Sequence, residues 1–258
     1  MKWRRILIPF SLLFLLGVKL RDLLYKLGLL KSVRFDFPVV VIGNLSTGGT
    51  GKTPHVESII KLLKDEYKIG VLSRGYGRKS KGIFEVEQGD NFRQFGDEPL
   101  QIKNKFKDIP VFVSERRIFG ISALINDYPD TELILLDDAY QHKELAASSY
   151  ILLSPYSLPY TDDKLLPSGN LRELPSAADK ADLIIITKCP VRFEEVKMDL
   201  WRKKLNIKAH QQLIFSRTQY AQIEFFDYQF REIPDNSEVL AFAGLANNEF
   251  FFNEIKTR

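Results

Sequence analysis

Gly48, Gly49, Thr50, Gly51, Lys52 and Thr53 follow one another at the end of the run VVVIGNLSTGGTGKTP, residues 39–54. Glycines at this spacing let backbone N–H groups turn to one side and cradle phosphate oxygens, and a helix N-terminus behind them adds partial positive charge. A lysine closing such a turn reaches β- and γ-phosphates, and the hydroxyl after it suits Mg²⁺. Lys52 and Thr53 occupy those two places. The strict pattern has one more glycine where this chain has Ser46. A glycine-rich turn that binds nothing is the plain alternative.

A second group of reactive residues closes the apolar run Leu133–Leu136, where Asp137 and Asp138 stand together. Phosphate-loop enzymes hold a Mg²⁺-coordinating carboxylate on such a strand end, beside the loop. Successive strand residues point to opposite faces, so one of the pair is expected to touch the metal directly. Gln141 and His142 follow at the same strand end, and His142 is expected to line the site. In LLPSGNLRE (165–173), Arg172 could neutralise charge on a moving phosphoryl group. Glu173 beside it could join the metal shell, or the two could form a solvent salt bridge. Asp97 in GDEP is either a helix cap that complements the helix dipole or a reacting carboxylate. The loop SRGYGRKS (73–80) either receives an anion or is a solvated turn, and Arg116 and Arg117 either contact phosphate or face water. Thr187-Lys188 resembles the base-contacting strand end of guanine-nucleotide proteins. No aspartate stands at the needed place after Lys188, so guanine specificity is not supported. His55 and His210 read as surface or packing residues.

These groups need strands and helices to position them. Val39–Ile42 is a run of β-branched residues and reads as a buried strand. A helical pattern then starts in Val56, Ile59, Ile60, Leu62 and Leu63. Further strands are expected at 68–73, 82–87, 111–113, 133–136, 150–153, 183–187 and 213–215. Helices are expected from Asp97 to Phe106, after Ser114, and over 193–205. Residues 224–235 read as a linker or strand pair, 239–244 as a strand and 247–255 as a helix. Strand, glycine loop, Lys-Thr, helix is the order of a phosphate-loop α/β fold.

The chain has 258 residues, 45% hydrophobic and 27% charged, which is the composition of an ordinary globular protein. Its one cysteine, Cys189, excludes an internal disulfide framework and suits a reducing compartment. Residues 1–35 carry eight Lys or Arg against one acid, Asp22, so the formal charge of +4 comes from this end. A nucleic-acid surface spread over the fold is therefore not expected. Ile6–Val18 is apolar except at Ser11, with Pro9 and Gly17 as further breaks. A spanning helix needs roughly 17–25 apolar residues, so this run is short. A secretory signal would need a small-residue cleavage site. Instead Leu20, Leu23, Leu24 and Leu27 continue at helical spacing between Lys19, Arg21 and Lys26. This predicts a basic amphipathic helix at a membrane surface, with packing on the protein's own core as the alternative.

GNLSTGGTGKTP, SRGYGR, GDEP, LDDAYQH, LLPSGNLRE and VLAFAGLANNEFF occur here in the order found in the tetraacyldisaccharide 4′-kinase family, which the chain resembles over essentially its whole length. The resemblance implies a P-loop-type parallel sheet flanked by helices. It also implies ATP and Mg²⁺ as cofactors, an acylated disaccharide 1-phosphate as acceptor, and work at the cytoplasmic face of the inner membrane. Lys52, Arg172, His142 and Asp97 would then be catalytic. Gly48, Gly49, Thr50, Gly51, Lys52 and Thr53 would hold the nucleotide. Thr53, Asp137, Asp138 and Glu173 would be the metal neighbourhood, with Asn44, Tyr76 and Arg117 on the acceptor side. Asp97 would work with a histidine of the C-terminal lobe; an isolated carboxylate at a helix start is a weak base, so a partner makes chemical sense. That histidine is expected after Gly244-Leu245-Ala246, and none follows there before Arg258. The family commonly has glycine and phenylalanine at Ala139 and Tyr140, a mild change unless position 139 needs positive φ.

The expected organisation is a membrane-associated helix over 1–28, a P-loop kinase domain over 29–222, and a linker with the incomplete start of a C-terminal lobe over 223–258. Two rivals remain. One is a membrane-docked P-loop ATPase or switch without a sugar-lipid acceptor. The other is a soluble kinase for nucleotides or other small metabolites, which gives the N-terminal segment no purpose.

Overall fold

The computed structural model describes residues 3–190, 197–219, 240–241, 251–252 and 255–256. The linker expected over 224–235 and most of the strand and helix expected after it lie outside those residues. A 3₁₀ turn over Trp3–Leu7 enters α1, Ile8–Lys26. β1 (Val39–Asn44) leads through the glycine turn into α2 (Lys52–Leu63) and β2 (Ile69–Ser73). Next come β3 (Phe84–Glu85), α3 (Phe92–Phe95), α4 (Asp97–Lys105), β4 (Val111–Val113), α5 (Arg117–Asp127) and β5 (Leu133–Asp137). β6 (Ser149–Pro155), β7 (Leu183–Thr187), α6 (Met198–Leu205) and β8 (Gln212–Phe215) complete the described elements.

The eight strands make one sheet in the order β3-β4-β2-β5-β1-β6-β7-β8. β3 runs antiparallel to β4, and every other pair is parallel. Both faces are covered. Val39, Val41, Ile134 and Leu136 pack with Ile121 and Leu124 of α5 and with Trp201 and Leu205 of α6. Ile42, Val71 and Leu135 pack with Val56 and Ile60 of α2 and Ile102 of α4. Burial on two sides is why these strands read as unbroken apolar runs, and each such side chain contributes about 1.5–3 kcal/mol. β1 lies where the strand order reverses, with β5 on one side and β6 on the other. The crevice beyond the carboxyl ends of such strands is where open α/β sheets bind ligands.

α1 and the turn before it direct several polar residues at the body. Ser11 Oγ donates to Leu165 O at 3.2 Å and lies 2.8 Å from Ser168 Oγ. Arg4 Nη1 donates to Asn170 Oδ1 at 3.0 Å. Val18 is the one buried apolar residue of α1, whereas Phe10, Leu12, Leu13, Leu16, Leu20 and Leu23 are 48–65% exposed. The alternative of a helix packing its apolar face on the protein's own core is therefore not what forms. No helix among the described residues is long and apolar enough to cross a membrane.

Candidate active site

Gly51 caps α2 with φ 86°, a left-handed backbone that glycine adopts without penalty. The turn before it is tied down at several points. Asn44 Nδ2 donates to Thr50 Oγ1 at 2.8 Å, Thr187 Oγ1 to Thr50 O at 2.9 Å, and Lys188 Nζ to Gly49 O at 2.6 Å. His55 lies across the base of the turn, with Nδ1 2.7 Å from Gly51 O and Nε2 3.0 Å from Ser216 Oγ. It is thus the packing residue expected. Ser46 bridges to Leu171, Thr47 N donates to Asn170 O at 2.8 Å, and Arg172 N donates to Leu45 O at 2.7 Å. This extended pairing needs no glycine at position 46. Thr187 and Lys188 therefore brace the loop backbone, a role that strand-end pattern alone did not reveal.

The two aspartates part at the end of β5. Asp137 is fully buried; its Oδ2 accepts from Ser73 Oγ at 3.4 Å and its Oδ1 has no hydrogen-bond partner. Burial, reinforced by Glu98 and Asp138, raises its pKa to about 7. Asp138 leaves strand geometry with φ 47°, which aspartate tolerates better than most residues. Its Oδ1 lies 2.9 Å from Arg172 Nη2 and 3.8 Å from Lys52 Nζ. Burial alone would raise the Asp138 pKa, but Lys52 and Arg172 outweigh it and hold the carboxylate below its usual range. Strict alternation was expected to send the pair to opposite faces. The left-handed step brings both within the field of Lys52. Positive φ falls at Asp138 and not at Ala139, so alanine is accommodated there. Tyr140 is buried and donates its hydroxyl to Ala177 O at 3.1 Å.

Arg172 Nη2 also donates to Asn44 Oδ1 at 2.7 Å, and Gln141 Nε2 donates to Asn44 O at 2.6 Å. Asn44 is fully buried within this network and offers no surface to an acceptor. Arg117 is likewise fully buried, with Nη1 donating to Ser114 O at 2.6 Å and Nη2 to Asp138 O at 3.4 Å. Burial lowers its pKa to about 10, against the pull of Asp137 and Asp138. Of the three residues expected on the acceptor side, only Tyr76 is open, at 79% exposed. His142 stands half-buried at the edge of the cluster. Burial, then Arg117 and Arg74, push its pKa down to about 4, so the imidazole is neutral at pH 7.

Glu173 does not join this group: it is buried and both its oxygens accept from Arg21 Nη2, at 2.6 and 2.7 Å. Asp97 starts α4 as an exposed residue and accepts from Glu98 N at 3.0 Å. It faces an open groove of about 570 Å³ shared with Phe92, Leu100 and Gln101. The neighbouring Glu98 is the carboxylate whose field reaches Asp137. Adjacent residues in the first turn of a helix point about 100° apart, so Asp97 and Glu98 have different surroundings.

A divalent cation suits this donor set. Asp137 Oδ1 is an orphaned, buried, hard oxygen, and Thr53 is buried at the start of α2, next to Lys52, whose charge acts on Asp137. Among the described residues no group of three or more His, Cys, Asp or Glu forms a ready cage. Mg²⁺ takes one or two protein carboxylates and completes its shell with phosphates and water.

Known proteins resemble this chain over nearly its whole length. The family model for tetraacyldisaccharide-1-P 4′-kinase matches residues 3–258. The tetraacyldisaccharide 4′-kinase of Flavobacterium johnsoniae is 42% identical over 257 residues, which cover 98% of this chain and 75% of that protein. That of Porphyromonas gingivalis is 41% identical over 262 residues, covering 100% of this chain and 72% of the relative. The crystal structure of LpxK from Aquifex aeolicus in complex with ATP superposes with a TM-score of 0.66 at 28% identity, over 92% of this chain and 87% of that one. With a nucleotide-type loop, paired strand-end acids and these relatives along nearly its whole length, the chain belongs to the tetraacyldisaccharide-1-P 4′-kinase family.

Proposed function

We propose that this chain transfers the γ-phosphoryl group of ATP to the 4′-hydroxyl of a tetraacyldisaccharide 1-phosphate, giving lipid IVA. The observation that carries this reading is Asp138 held between Lys52 and Arg172, directly beside the glycine turn that opens α2. Two cations around one carboxylate form a charge cluster that can rearrange onto a triphosphate, and such preorganised charge is the main lever of phosphoryl transfer. Lys52 and Arg172 would contact the phosphates, and the backbone of Gly48–Gly51 would cradle them. Mg²⁺, bound by Thr53, Asp137 and Glu98, would neutralise charge on the phosphate oxygens. The acceptor oxygen would attack the γ-phosphorus while the bond from that phosphorus to the β–γ bridging oxygen breaks, and ADP would leave with that electron pair. Asp97, at the start of α4 beside Glu98, would take the hydroxyl proton.

The lipid acceptor gives α1 a purpose. Its leucines point away from the body, while its polar residues hold the body in place. A helix of this kind lies in the headgroup zone and would bring the site to the cytoplasmic face of the inner membrane. The test is labelled ATP with the full chain and the acyl-disaccharide 1-phosphate in vesicles. Label in the lipid is the expected result. Label appearing only in inorganic phosphate favours the ATPase or switch reading and overturns this one.

A further inference from the structure

The polar contacts of α1 and the turn before it converge on a small part of the body. Ser11 meets Ser168 and Leu165, Arg4 meets Asn170, and Arg21 Nη2 reaches both oxygens of Glu173. Asp22, next to Arg21, pairs with Lys143. All these partners sit in two short segments, 165–173 and the turn after His142. These segments also carry Arg172 and His142 into the site.

We propose that α1 is a brace for the catalytic loops, and that Arg21 is a positioning residue which acts through Glu173 to hold Arg172 against Asp138. The inference rests on the kinase reading and gives the membrane-facing helix a second task. Glu173 is 2% exposed, and one guanidinium nitrogen bonded to both of its oxygens fixes its place by short charge-assisted contacts. Without Arg21 that buried carboxylate has to move toward water or take up a proton. Glu173 is bonded to Arg172, whose backbone N–H donates to Leu45 O and whose side chain joins Asn44 to Asp138. Displacing a catalytic group by about 1 Å can lower a rate about 100-fold. Arg21 itself faces the body, so its replacement leaves the apolar outer face intact.

The experiment uses the full chain on vesicles of phosphatidylethanolamine and phosphatidylglycerol that contain the acyl-disaccharide 1-phosphate. Arg21→Gln is expected to lower kcat by about 10-fold or more, with unchanged co-sedimentation, and Arg21→Lys to lie between it and the parent. In an Arg172→Gln background the same change is expected to cost less than about twofold, because residues acting as a unit are not additive. A role confined to stability would multiply through independently. Amide exchange of residues 165–173 is expected to quicken in Arg21→Gln while β1 and β5 stay protected. Unchanged kcat, independent multiplication, or unchanged exchange in 165–173 would each overturn the brace. Failure of the parent chain to label the lipid would overturn the kinase reading instead, and the exchange measurement would still decide the inference.

Discussion

Arg172 and Asp138 meet at 2.9 Å, and the same guanidinium nitrogen reaches Asn44 at 2.7 Å, so one side chain joins the ends of β5 and β1. Arg172→Gln keeps much of the volume and removes the charge. It is expected to lower kcat by about 100-fold, the scale for losing one preorganised donor to transition-state charge. Lys52→Ala is expected to cost about 100- to 1000-fold on the same ground. Initial rates of label transfer to the lipid check both.

Asp97 and Glu98 are neighbours with different surroundings, and their variants should separate. Glu98→Gln removes the carboxylate in the field of Asp137 and should raise the Mg²⁺ concentration at half-maximal rate by about 10-fold. Asp97→Asn should lower kcat while leaving Mg²⁺ dependence and nucleotide affinity near those of the parent. If neither Mg²⁺ dependence nor kcat responded, both acids would revert to complementing the dipole of α4.

His142 supplies a pH signature. Its pKa is about 4 in the fold, below the 6.5 of an unfolded chain. Between those values the unfolded chain binds more protons, so stability is fully present above pH 6.5 and is lost as the pH falls toward 4. Asp137, raised to about 7, acts in the opposite sense over the whole of that window. The difference between parent and His142→Gln isolates the histidine. The melting temperature of the variant should fall less steeply from pH 6.5 to 4.

Gly43 lies in β1 against the turn that follows Asp138. A Cβ there would stand 2.7 Å from Tyr140 Cβ and 3.2 Å from its backbone nitrogen, groups that cannot swing aside. Gly43→Ala should destabilise the fold by about 1–3 kcal/mol, the range for overpacking. Gly17 of α1 has nothing within 4 Å of its Cβ position, so Gly17→Ala should cost nothing. Urea midpoints check the pair.

The outer face of α1 can be tested apart from its brace. Leu12, Leu16 and Leu20 are each more than half exposed and succeed one another at one-turn spacing. Leu12→Glu, Leu16→Glu and Leu20→Glu together should abolish co-sedimentation with anionic vesicles and leave the melting temperature nearly unchanged. Sedimentation like that of the parent would reject the membrane role.

Much of this molecule was legible in one dimension, because local patterns carry local physics. The apolar runs at 39–42, 133–136 and 183–187 became central strands, since residues buried on both faces must be apolar throughout. The loop at 48–53 was readable from glycine spacing, since φ at Gly48 and Gly51 is positive and only that composition turns there freely. Tertiary packing decided the pairings across distance. It buried Asn44 and Arg117, brought Glu98 close enough for its charge to act on Asp137, and matched Glu173 with Arg21, 152 positions away. A sequence shows which residues carry charge. Which charges meet depends on loops brought together by the sheet, and on a left-handed step at Asp138 that strand alternation does not foresee.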